Sequence, residues 1–123
     1  MAMQNPHPLN EVMVSGQLLN VSSTSTVSMR APFQGRVLKV GVTLGSAAST
    51  ADATVTTKIN GTAITGGVVT VTQAASAQGS TFSAVPTAAN LVNEDDSIDA
   101  TVTGTGTAGG PAAVWAVIRR GTI

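Results

Sequence analysis

The sequence has no cysteine and no tyrosine, a single histidine, and only 10% Asp, Glu, Lys and Arg among its 123 residues. Each scarcity closes a class of chemistry. Without cysteine there is no disulfide, no thiolate nucleophile and no thiolate-bound metal. The one histidine, His7, lies between Pro6 and Pro8 and reads as exposed and inert, because a zinc site or a catalytic triad would need partners that are not near it in the chain. Catalytic acids, bases and nucleophiles work as titratable groups tuned by one another, and there are few here to converge. The expectation is a protein that is not an enzyme and carries no cofactor. With a formal net charge of zero and a pI near 6.5, there is no basic field to gather phosphates or anionic lipid, so neither nucleic acid nor a membrane is an expected partner. No apolar run approaches the ~20 residues of a membrane span, and Met1 to Pro8 lacks the charged and apolar regions of a secretory signal, which points to synthesis in a cytoplasm.

What the chain has instead is Val, Thr, Ser, Ala and Gly. Hydrophobic residues make up 42% and mean hydropathy is +0.28, too apolar for intrinsic disorder, and the length suits one domain. The charged fraction lies far below the roughly 25% of ordinary soluble domains, leaving a surface of hydroxyls, methyls and glycine. An uncharged surface of that kind self-associates unless it is covered. Much of it is therefore expected to be buried in an assembly, with a dimer or trimer of this chain as one component.

Apolar residues recur with period two, the signature of half-buried strands. Residues 1–10, with two prolines, suggest an extended N-terminal arm, followed by a single domain over residues 11–123. From Glu11 to Val21, Val12, Val14 and Leu18 alternate with polar positions, and Val27, Met29 and Ala31 form a second short strand ended by Pro32. In Gly35 to Leu44, Leu38, Val40, Val42 and Leu44 share one face, with Val37, Lys39, Gly41 and Thr43 opposite. Ala53, Val55, Thr57 and Ile59 run into Asn60-Gly61, the strongest short hairpin signal because both residues tolerate positive φ. Gly66-Gly67 predicts a second turn before a strand over Val68 to Thr72. Thr81 to Val85 suggests another strand, and Thr87 to Val92 one helical turn. Ser97 to Thr103 alternates again, with Ile98, Ala100 and Val102 inward. Ala112 to Ile118 is apolar on both faces, as suits a strand at a sheet centre or in a subunit contact. About eight short strands between Gly and Pro turns imply an all-β antiparallel β-sandwich, most plausibly a jelly roll.

Four features carry candidate chemistry. Glu94, Asp95, Asp96 and Asp99 form the only acidic cluster, but they lack the alternating spacing of a calcium loop, so a solvated turn is expected and no metal site. Gly104 to Gly109 spells a dinucleotide fingerprint in the wrong place, since a strand rather than a helix follows. Trp115, the lone tryptophan, is expected to pack in the core or in an interface rather than serve as a stacking platform. Arg119 and Arg120 alternate to opposite faces at the end of the last strand, where they could meet acidic groups of a partner.

The run Ala31-Pro32-Phe33-Gln34-Gly35-Arg36-Val37, then Ala51-Asp52-Ala53-Thr54-Val55, Ile59-Asn60-Gly61-Thr62, and Asn90 to Ile98, resembles small virion proteins of tailed bacteriophages. The likeness is greatest to jelly-roll head decoration, or cement, proteins, in which an "apf-G-x-v" strand precedes "ad-x-tvt-x-x-inGt" and "N-x-v-x-x-GD-x-i". Asp95 stands where that pattern has glycine. The resemblance implies a structural protein on the exterior of the virion, made in the host bacterial cytoplasm, that binds an assembled capsid and bridges subunits of the major capsid protein. Pro6, His7 and Pro8 in the arm, with Trp115, Arg119 and Arg120 on the last strand, are the expected capsid or subunit contacts. The alternative is a receptor- or glycan-binding jelly-roll module of a phage fibre, although sugar sites favour stacked rings and only 2% of these residues are aromatic.

Overall fold

The computed structural model describes residues 10–18, 25–45, 52–72, 76–104 and 110–121. These form nine strands and no helix: β1 (Glu11–Leu18), β2 (Ser25–Arg30), β3 (Gly35–Leu44), β4 (Ala53–Ile59), β5 (Thr62–Val71), β6 (Thr81–Ala84), β7 (Leu91–Val92), β8 (Ser97–Gly104) and β9 (Ala112–Arg120). They make two antiparallel sheets. A five-stranded sheet has the order β1-β9-β3-β6, with β7 also on β3, and a four-stranded sheet has the order β2-β8-β4-β5. The chain switches sheets at nearly every connection and stays within one only at the β4–β5 hairpin and from β6 to β7. That is the double Greek key of a jelly-roll sandwich.

The inner faces are filled by small branched side chains. Val55, Ile98 and Val102 of one sheet face Val42, Val114 and Ile118 of the other, all at most 1% exposed. Each such side chain contributes on the order of 1.5–3 kcal/mol relative to exposure. Among the described residues two polar residues, Thr57 and Asn90, are buried, and each has a partner. The Thr57 hydroxyl donates to the Gly67 carbonyl at 2.7 Å, and the Asn90 amide donates to the Val37 carbonyl at 2.8 Å.

Three local expectations are corrected. Leu38 does not share a face with Val40. A β-bulge between Val37 and Lys39 adds one residue against β9, so the inward phase passes from Gly35 and Val37 to Val40, Val42 and Leu44. Gly66-Gly67 does not turn the chain. β5 runs through it as a wide irregularity between the Lys58–Ala63 and Thr56–Val68 pairs, and Gly67 is needed there because a Cβ would lie 2.3 Å from the Thr57 hydroxyl oxygen. Thr87 to Val92 makes no helical turn, because Thr65 bridges Ala88 and Leu91 pairs with Arg36, drawing the segment onto both sheets.

The Asn60-Gly61 hairpin forms as expected, with φ of 49° and 89° at its two central residues. Asp95, in the position where the resembling pattern carries glycine, takes φ 71°, the left-handed backbone a glycine adopts freely. Its own N–H donates to the Ala31 carbonyl at 2.8 Å, and Ala31 N–H donates to the Asp96 carbonyl, which fastens this turn to the end of β2.

Charge is concentrated at one pole. All six Lys and Arg, and every acidic residue except Asp52, lie in the half of the sandwich where β1, β3 and β8 begin and β2, β4 and β9 end. Asn10, at the start of β1, is at this pole too, its carbonyl accepting from Arg120 N–H.

Candidate interaction face

Because side chains alternate along a strand, each sheet has an outer face as well as a core face, and here the two outer faces differ in chemistry. On the five-stranded sheet, cross-strand register builds successive rows. At the charged pole the row is Glu11, Arg119, Arg36 and Leu91; the next joins Met13, Val117 and Lys39; the third joins Ser15, Trp115, Gly41 and Ser83. Met13 is 58% exposed and Leu91 41% exposed, and Trp115 and Val117 are half-buried.

Trp115 is held flat by three neighbours. Gly41 lies directly beneath it, where a Cβ would come within 2.5 Å of the indole carbons, so only glycine at this position admits the ring. The indole Nε1–H donates to Thr43 Oγ1 at 3.2 Å, and that hydroxyl is in turn 3.1 Å from Thr81 Oγ1. Lys39 Nζ stands 6.0 Å from the ring centroid, at the outer reach of a cation–π contact. Trp115 is thus fixed on the outer face, not in the core, with its ring against the sheet at Gly41.

The terminal arginines separate as alternation requires. Arg119 projects on the Trp115 face and pairs with Glu11 through both Nε and Nη2, at 3.1 and 2.6 Å. Arg120 turns to the other side, its guanidinium 4.3 Å from the Phe33 ring centroid. Of the expected contact residues, the structure therefore places Trp115 and Arg119 on one face and Arg120 on the opposite side of the strand, against Phe33. Pro6, His7 and Pro8 lie outside the described residues.

The outer face of the four-stranded sheet carries hydroxyls. Thr26 and Thr101 lie 2.9 Å apart through their Oγ1 atoms, beside Thr56, and Ser28 Oγ donates to Asp99 at 2.7 Å. Hydrogen bonds from Ser97 first, then Ser28, with the charge of Lys58 adding to them, hold the Asp99 carboxyl below its ordinary value. Asp96 in the adjoining turn is lowered chiefly by the Asn93 backbone N–H and then by the Asn60 side chain. Both acids are occupied within the chain. No group of three or more His, Cys, Asp or Glu suited to a metal occurs among the described residues.

Sequence reasoning singled out Trp115 and Arg119 but missed Met13, Lys39 and Gly41. Met13 and Val117 stand out only when the register places them side by side, and although alternation already put Lys39 and Gly41 on the face opposite Val40, only the register brings them under and beside Trp115. A scan against protein-family models matches none, and a search of curated proteins returns no match.

Proposed function

We propose that this chain is a structural virion protein that attaches to the outside of an assembled phage capsid and stabilises it by bridging subunits of the major capsid protein, docking through the outer face of its five-stranded sheet. The observation that carries the reading is the rigid patch of Trp115, Met13 and Val117 bordered by cations. Aromatic residues, Met and Arg are the side chains that interface centres favour, and a ring already immobilised by its neighbours gives up little entropy on docking. The resemblance noted above supplies the kind of partner. A protein that binds the closed shell better than its separated subunits raises the stability of the shell by mass action, and an oligomeric decoration module multiplies the effect through avidity. Asn10, the last residue of the expected arm, is tied to Arg120 at the charged pole, and on this reading the arm adds a second contact.

Saturable binding to empty capsids tests the reading. Met13→Asp should weaken occupancy at least about tenfold with the fold intact, and deletion of residues 1–9 should weaken it less. Absence of saturable binding by the unaltered protein would dismiss the reading. The position of the half-buried Trp115 on an outer face also favours one alternative, sugar stacking, for which a glycan array answering with a single sugar class is the discriminating result.

A further inference from the structure

Arg36 stands apart from the other arginines. Arg30 donates to the Asp95 carbonyl, Arg119 pairs with Glu11, and Arg120 covers Phe33, whereas Arg36 has no ion pair, side-chain hydrogen bond or ring contact among the described residues. It also separates two hollows, an open cleft of about 530 Å³ on the side of the Asn60 hairpin and a smaller one of about 210 Å³ toward Arg119 and Arg120.

The larger cleft has pre-set walls. Among the described residues, Asn60, Ala89 and Asp95 are the non-glycine positions with left-handed backbone, at φ 49°, 53° and 71°. The first two line the cleft, and the third adjoins Asp96, which also lines it. Asn60 suits its turn and Asp tolerates this region, but alanine has no local hydrogen bond to compensate, and such conformations persist where surrounding structure imposes them. Here the imposing contacts are the hydrogen bonds from Thr65 N–H to Ala88 O and from Val37 N–H to Asn90 O, at 3.0 and 2.8 Å on either side of Ala89. On the far wall Asp96 is already satisfied, accepting from Asn93 N–H at 2.8 Å, while Ser97 N–H caps Asn60 Oδ1 at 2.9 Å. Leu91 sits directly across the β3–β7 pair from Arg36, so an uncompensated guanidinium and an exposed apolar side chain share one rim.

We infer that this cleft receives an acidic, extended segment of a partner protein, with a partner carboxylate on Arg36 and an aliphatic side chain two residues away against Leu91. Charge complementarity at the Arg36 end selects that occupant, since Arg119 and Arg120 line the adjoining hollow there, whereas Asp96 keeps its negative charge on the far wall. A guanidinium without a counter-ion is matched by the two oxygens of a carboxylate, and side chains at i and i+2 of an extended strand point the same way, as Arg36 and Leu91 require. Lys39, in the next row of the same face, adds to the positive field at Arg36, and Glu11 is spent on Arg119. The inference rests on the reading above only in taking the partner to be the shell protein; the cleft itself is testable without a capsid.

The test is a titration of the ¹⁵N-labelled full chain, followed by NMR, with the peptide acetyl-Ser-Asp-Ser-Leu-Ser-amide, whose Asp and Leu stand two residues apart, and with its Asn counterpart. The acidic peptide should shift Arg36 Nε and the Asn60, Ala89 and Leu91 amides saturably, the neutral one should not, and Arg36→Gln should abolish the response while leaving the dispersed spectrum unchanged. Equal shifts from both peptides, no saturable shift, or the same response in Arg36→Gln would overturn the inference. So would saturation by glucuronate but not by the peptide, which would assign the cleft to an acidic sugar, or concentration-dependent shifts without any peptide, which would assign it to a second copy. Capsid binding separates the two claims. Arg36→Gln that decorates capsids as well as the unaltered protein removes the cleft and leaves attachment standing, whereas an Arg36-dependent peptide response from a protein that ignores capsids supports the cleft and removes attachment.

Discussion

The five-stranded and four-stranded sheets contribute the same kind of inner face, rows of Val, Ile and Ala, yet their outer faces part company. One presents Met13, Trp115 and Val117 among Lys39, Arg36 and an ion pair; the other presents Thr26, Thr56 and Thr101 with Asp99 held by Ser28 and Ser97. Inner faces answer to the core they share, so volume and branching decide them. Outer faces answer only to what lies outside. On the hydroxyl face Thr26 pairs with Thr101, and Ser28 and Ser97 hold Asp99, with Val68 the one large apolar side chain exposed in the threonine row. The tryptophan face leaves apolar area and the Arg36 guanidinium without protein partners among the described residues, which is the arrangement expected of a surface completed by another molecule.

The comparison can be broken at its strongest point first. Ile98→Ala in the four-stranded sheet and Ile118→Ala in the five-stranded sheet remove fully buried side chains, and each should cost about 2–5 kcal/mol in denaturant unfolding. Costs of clearly different size would show that the inner faces are not equivalent. Next, Gly41→Val drives a branched side chain into the indole above it and should cost about 1–3 kcal/mol with a red-shifted Trp115 emission, while Thr56→Val on the opposite outer face should stay within about 0.5 kcal/mol of the parent. An unshifted emission would mean that the ring does not rest on Gly41.

Acid sharpens the contrast further. Asp99 has a folded pKa below the ordinary 3.8, so its stabilising effect is complete above the unfolded value and is lost as pH falls through the folded one. Thermal melts from about pH 6 down to about pH 2.5 should therefore show part of the acid destabilisation disappearing in Asp99→Asn. The smallest effect belongs to the exposed Glu11–Arg119 pair, whose side chains are 46% and 59% exposed. Glu11→Gln should change stability by less than about 1 kcal/mol, and that change should shrink with added salt.

Much of the sandwich was legible in the chain. Alternation in Ala53 to Ile59 and Ser97 to Thr103, with Asn60-Gly61 between strands, reports directly which side chains face inward and where the chain reverses. What escaped was geometry that two strands decide jointly. The Leu38 bulge exists because β3 must match β9 at both ends, Gly67 is fixed by Thr57 from the neighbouring strand, and the two-residue β7 forms because Arg36 and Thr65 capture a segment with no strand pattern of its own. The site divides in the same way. Trp115 and Arg119 are conspicuous as residue types, but the solitary guanidinium of Arg36 is defined by what does not reach it, a property of three-dimensional arrangement alone.

A cryo-EM reconstruction of capsids saturated with this protein tests the central claim most directly. The account predicts the outer face of the five-stranded sheet against the shell, with Trp115 and Met13 in contact and the threonine-rich face turned to solvent. Density showing the threonine-rich face on the capsid, or particles that remain bare, would contradict it.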